Sequence, residues 1–197
     1  MFNRTLLVIF CLLSFSLLAQ EATPLLQDFD LQRNELNRKG MIVLASWSIA
    51  NIAWSASQLS QSIILKQSYH QMNLGWNAVN LVIAGFGMYQ AYNPEMGLSF
   101  WQSLDEQAKI KRILAVNAAL DLAYIAGGFY LREYAKSSSN FKRYEGFGRA
   151  VILNGAFLFG FDVLMYWVHQ NHENSILVPL LESLNMGPKG IGLQIRF

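Results

Sequence analysis

Thiol chemistry is almost absent from this chain, since Cys11 is its one cysteine. It lies in the N-terminal apolar run. Removal of that run would leave no disulfide, no thiolate nucleophile and no Cys-ligated metal. Charge is scarce too. Only 14% of the residues are Asp, Glu, Lys or Arg, against roughly 25% in an average soluble protein, and these few are gathered into short segments. A net charge of +2 is too small to argue for nucleic acid, and no nucleic-acid partner is expected. There is no glycine-rich phosphate loop, nucleophile elbow or HExxH. Gly85/Gly87 and Gly127/Gly128 follow no predicted strand and suit helix packing. No catalytic residue and no cofactor can be nominated, so a non-enzymatic role is the leading expectation.

What the chain has instead is long apolar stretches, four of them, each with an Asn or Asp near its middle: Asn51, Asn80, Asp121 and Asp162. At 1.5 Å rise per residue each is long enough to span a bilayer. The predicted fold class is therefore all-α, a four-helix transmembrane bundle of up-down topology with an N-terminal signal peptide and a short extended C-terminal tail. The expected divisions are a signal at 1–19, an interfacial segment at 20–40, a transmembrane domain at 41–172 and a tail at 173–197. The four helices are placed at about 41–65, 67–92, 104–134 and 147–169.

Local signals support these divisions. Arg4 followed by the apolar run Leu6 to Leu18 and the small Ala19 has the layout of a secretory signal, with an uncleaved anchor as the alternative. Leu25, Leu26, Phe29 and Leu36 have weak amphipathic spacing, which suits a surface helix or a linker. Ser103 with Glu106 reads as a capping box that starts the third helix near Leu104. The Lys/Arg-rich segment 132–149 is expected on the cytoplasmic side. That places the mature N-terminus and the C-terminus on the periplasmic side of a bacterial inner membrane. Ile191, Leu193, Ile195 and Phe197 alternate like a strand, and an extended tail is expected there.

The polar residues define the candidate site. His70, Asn73, Asn77, Asn80, Ala84 and Gly87 fall on one helical face, as do Asn117, Asp121, Tyr124 and Gly128. Asn154, Asp162, Tyr166 and His169 lie on or near one face of the fourth helix. Polar groups at membrane depth cost several kcal/mol if unsatisfied, so they should face one another. No Lys or Arg lies at matching depth to pair with Asp121 or Asp162. The ligand or ion candidates are thus Asp121, Asp162, Asn117, Asn51, Asn77, Asn80, Asn154, Tyr124 and Tyr166. Three readings stay open: a hydrogen-bonded core that fixes register, a site for a solute, ion or proton, and catalysis. His169, His172 and Glu173 make only a weak metal candidate, and solvated interfacial histidines are the expectation.

The segments Met72–Leu81 (MNLGWNAVNL) and Gly40–Ile52 (GMIVLASWSIANI) resemble a family of small bacterial four-helix membrane proteins of unknown function. The resemblance implies that Trp47, Asn51, Asn73, Trp76, Asn77 and Asn80 form a signature, and it implies no activity. The leading expectation is a membrane protein that binds a small polar ligand, an ion or a partner helix through its polar layer. The alternatives are a small transporter or proton-coupled subunit using Asp121 and Asp162, and an intramembrane enzyme. Membrane lipid and either a second copy or a partner membrane protein are the expected contacts.

Overall fold

The computed structural model describes residues 4–183, 186–187 and 190–191, with side chains described over 24–179. Four helices carry the fold: α1 (Arg4–Ser57), α2 (Ile64–Tyr92), α3 (Phe100–Ala135) and α4 (Phe141–Ser183). A two-residue antiparallel pairing follows, β1 (Met186–Gly187) with β2 (Gly190–Ile191). Residues 4–19 of the expected signal segment lie within α1; residues 1–3 and the side chains of the segment lie outside the described residues. Of the alternating tail, residues 192–197 lie outside the described residues.

Among the described residues three segments are long and apolar enough to cross a membrane, namely Pro24–Ser57, Phe100–Ala135 and Phe141–Pro179. Four were expected. α2 is not among them, because its buried stripe is a row of polar residues: Ser68, His70, Asn73, Asn77 and Asn80. The distribution of side chains suits a bilayer. Large apolar residues such as Ile49, Trp54, Val82, Phe86, Phe129 and Trp167 are exposed, while Ser48, Ser55, Asn73, Asn77, Gln107 and Asn154 are fully buried. Water would favour the reverse arrangement. In lipid it is the polar groups that must find partners inside.

The helices neighbour one another in the order α1, α2, α4, α3. α1 and α2 run antiparallel, as the contacts Asn51–Asn73, Ser55–His70 and Met41–Gly87 show. α3 and α4 also run antiparallel, pairing Arg132 with Glu145, Gly128 with Gly148 and Gln107 with His169. The α3–α4 seam repeats every seven residues. Gln107, Leu114, Asp121, Gly128 and Ala135 are the buried positions of α3 in this series, and they meet Gly148, Gly155, Asp162 and His169 of α4. A seven-residue period keeps one seam in register between two helices. The glycines allow the close approach. A Cβ on Gly148 would lie 2.6 Å from the Gly128 carbonyl oxygen, and one on Gly155 would lie 3.2 Å from that of Asp121.

Several boundaries differ from the sequence expectation. α1 ends at Ser57, inside the predicted 41–65 span. The polar residues that follow bond locally, with Ser57 Oγ donating to the Trp54 carbonyl, Gln61 to Gln58 and Gln67 to the Leu59 carbonyl. Such bonds compete with helix continuation. α3 begins at Phe100, and the capping box is Ser99 with Gln102. Gly97, at φ +72, turns the chain just before it. Ser103, expected to cap, instead donates to Asp30 at 2.8 Å. α4 begins at Phe141 and carries through the expected basic loop. Gly146 there packs against α2, where a Cβ would lie 2.5 Å from the Leu65 carbonyl oxygen. α4 also continues past the expected end at 169 to Ser183.

Candidate functional site

Two polar centres occupy the bundle. The first is an amide network joining α1, α2 and α4. The Asn73 side-chain amide donates to Asn51 Oδ1 at 3.0 Å and to Ser55 Oγ at 2.8 Å. Its own Oδ1 accepts from Asn77 at 3.1 Å and from Asn154 at 2.7 Å. Asn77 donates onward to Asn154 Oδ1 at 2.9 Å. Asn51 and Asn154 also bond the carbonyls of Trp47 and Ala150, one helical turn back. Asn73, Asn77 and Asn154 are fully buried. A web of mutual donors and acceptors ties three helices at one register and leaves little room for a guest.

The second centre is an open cleft of about 980 Å³ bounded by α1, α2 and α3, with α4 as its floor. Asp121 and Asp162 lie at that floor as near neighbours. Asn80, Asn117, Tyr124 and Trp76 line the same cleft. Asp121 and Asn80 are 3% and 5% exposed, yet Asp121 Oδ2 and Asn80 Nδ2 have no hydrogen-bond partner among the described residues. None of the ion pairs among those residues includes Asp121 or Asp162. The cleft floor thus holds, beneath its accessible surface, a buried acceptor and a buried donor without a protein partner, in a setting where each such group is costly.

The expected polar layer is therefore divided. Asn51, Asn77 and Asn154 belong to the amide network. Asn80, Asn117, Asp121, Asp162 and Tyr124 belong to the cleft. Tyr124 makes an edge-on contact with Trp76, ring centroids 4.9 Å apart, rather than a hydrogen bond across the bundle. Tyr166, one turn beyond Asp162, is exposed and is not among the residues that line the cleft.

A third cluster lies where α1, α3 and α4 converge, and the sequence reading did not anticipate it. His169 and His172, expected at a solvated interface, are buried. In the segment 20–40, expected on a membrane surface, residues around Phe29 and Arg33 cover them as part of α1. Phe29 stacks on His172 with centroids 4.4 Å apart, and the Phe29 carbonyl bonds His172 Nε2 at 3.1 Å. Arg33 pairs with Asp30 at 2.7 Å and donates to the Ser103 carbonyl at 3.2 Å. Gln107 donates to the His169 carbonyl at 2.8 Å. Glu173 pairs with Lys111. Among the described residues no group of three or more His, Cys, Asp or Glu could hold a metal ion. Two sequence signals could have found this cluster: the Asp30–Arg33 spacing of three, and the seven-residue series that aligns Gln107 with His169.

A family model described as a family of unknown function (DUF6992) matches residues 43–163, more than half of the chain. The match takes in the amide network and the acid pair, and stops short of His169 and His172. No curated protein matches the chain, and no solved structure does.

Proposed function

The chain belongs to the DUF6992 family, whose function is unknown, and from that premise we propose an integral membrane protein that holds a small ligand in the cleft and carries out no chemistry on it. The observation behind this reading is the pair of unsatisfied, buried polar atoms at the cleft floor, Asp121 Oδ2 and Asn80 Nδ2. Ionisable side chains at membrane depth are costly and tend to mark functional sites. The amide network around Asn73 leaves one such atom, Asn77 Oδ1, but Asn77 does not line the cleft. A pocket with apolar walls and a few convergent polar groups is the usual form of a small-molecule site. The supporting topology is an up-down bundle with the Lys/Arg-rich end of α3 and α4 facing the cytoplasm. Both ends of the chain then lie on the periplasmic side of an inner membrane.

Native mass spectrometry of the protein purified in mild detergent tests the reading. The wild type should carry a bound small molecule, which Asp121→Asn and Asp162→Asn lose and the exposed control Asp105→Asn keeps. The same bound species in all four proteins would remove the reading. A second reading, proton-coupled transport, draws on the two neighbouring carboxyl groups at the cleft floor. It predicts proton flux in reconstituted liposomes that Asp162→Asn abolishes, whereas a binding protein gives no flux in either form.

A further inference from the structure

At the α3–α4 seam, outside the lining of the cleft, two arginines share one carboxylate. Glu145 accepts from Arg132 Nε at 3.1 Å and from Arg149 Nε at 2.8 Å. The Glu145 side chain is 8% exposed, whereas those of Arg132 and Arg149 are 39% and 52% exposed. The carboxylate therefore lies beneath the guanidiniums. Two positive charges against one negative leave a net charge of +1 facing outward. Both arginines spend Nε on the pair, and their Nη groups make no hydrogen bond among the described residues. Lys142, three residues before Glu145 on α4, has no ion pair among those residues and adds to the positive charge. Lys136, by contrast, is neutralised by Glu133.

Position decides which anion this group meets. Arg132 stands near the end of the apolar segment Phe100–Ala135, and Arg149 near the start of Phe141–Pro179. Basic groups between helices at that level meet lipid phosphates. Helical spacing puts Arg132, Phe129 and Leu122 on one face of α3, and Glu145, Arg149, Ala156 and Val163 on one face of α4. The two faces adjoin. Ile125, one turn before Phe129, meets Gly155 across the seam, and Ile152, one turn before Ala156, meets Gly128. Phe129, Leu122 and Val163 are 55%, 52% and 46% exposed, and Ala156 is exposed beside them. The arginines thus stand at the head of an apolar strip. A phosphodiester matches the forked Nη donors, and Arg is the residue suited to it. Any lipid covers the strip, but only an anionic one also offsets the charge above it.

We propose that Arg132 and Arg149 form a binding site for an anionic phospholipid on the α3–α4 face, separate from the cleft. The phosphodiester accepts from their Nη groups, and an acyl chain lies along Phe129, Leu122, Ala156 and Val163. The test uses the full chain, purified in mild detergent and exchanged free of lipid. It is mixed with equal amounts of phosphatidylglycerol and phosphatidylcholine of the same acyl chains, and native mass spectrometry counts the adducts. Phosphatidylglycerol should exceed phosphatidylcholine by about tenfold, the worth of one charged hydrogen bond. Arg149→Gln should abolish the preference, because Glu145 then neutralises Arg132. Arg149→Lys keeps the charge and the pairing with Glu145 but has no fork, and should also lose the preference. Lys136→Gln removes the same charge nearby, off the site, and should keep it. So should Asp121→Asn, which alters only the cleft. Helix content by circular dichroism checks that each variant folds. Equal adducts of the two lipids in the wild type overturn the proposal. So does a preference that survives both Arg149 variants, or one that Lys136→Gln or Asp121→Asn removes as fully. Excess glycerol phosphate should not displace the lipid. Displacement would make this a site for a soluble phosphate and overturn the lipid assignment.

Discussion

The amide network and the acid cleft share one stripe of α2, yet they solve the same problem in opposite ways. Asn73 and Asn77 find partners on α1 and α4, with Asn77 Oδ1 alone left over. Asn80, two turns further along the stripe, keeps an unpaired donor beside an unpaired carboxylate oxygen. The difference follows from what faces each residue. Around Asn73 three helices converge, and each supplies a polar side chain. Around Asn80 α3 stands away from α1 and α2, and the space between them is open. A polar group at membrane depth is thus structural where backbones converge, and available to a ligand where they part.

That contrast can be broken by substitution. The largest effect is expected at Gly146→Leu, on the α2–α4 contact next to the network. A Cβ there would lie 2.5 Å from the Leu65 carbonyl oxygen and 2.9 Å from the Tyr69 nitrogen. The backbones must separate, at a cost of about 3 kcal/mol, read as an earlier midpoint of SDS unfolding in mixed micelles. Asn73→Ala comes next. It removes the shared acceptor and donor of Asn51, Ser55, Asn77 and Asn154, and about 2 kcal/mol should be lost on the same measurement. A wild-type midpoint for Asn73→Ala would deny the network its structural role.

Smaller effects are expected in the cleft. Asp121→Asn should change stability by less than about 1 kcal/mol, because the carboxylate it replaces already lacks a full set of partners. It should nonetheless empty the cleft of its co-purifying molecule. A large loss of stability with no change in bound species would make the acids structural after all. Smallest is Gly127→Ala. Nothing lies within 4 Å of a Cβ at that position, so the midpoint should hold or rise by up to about 1 kcal/mol from helix propensity. A fall instead would mean that this face is covered in the membrane.

Much of the site was legible in the chain. The face His70, Asn73, Asn77, Asn80 was readable from spacings of three and four, and those residues are buried together. Asp121 and Asp162 stood out as lone acids in apolar runs, and the structure brings their carboxyls together. Helix ends were less readable. Ser103 and Glu106 have the spacing of a capping box, as do Ser99 and Gln102, and Asp30 took Ser103 from a distance of more than seventy positions in the chain. The burial of His169 and His172 was hidden for the same reason, because Phe29 and Arg33 reach them from α1.

Sequence alone determined that the helices turn apolar faces outward and polar faces inward, because periodicity is a property of each helix by itself. It also determined that the two acids would need company, because the cost of an unpaired polar group in lipid does not depend on fold. Which partner each one met was decided by tertiary structure. The seven-residue seam of glycines and small residues draws α3 against α4 and sets Asp121 beside Asp162. The absence of α2–α3 packing leaves Asn80 facing a cleft. Those outcomes depend on how closely four backbones approach one another, and no single helix contains that information.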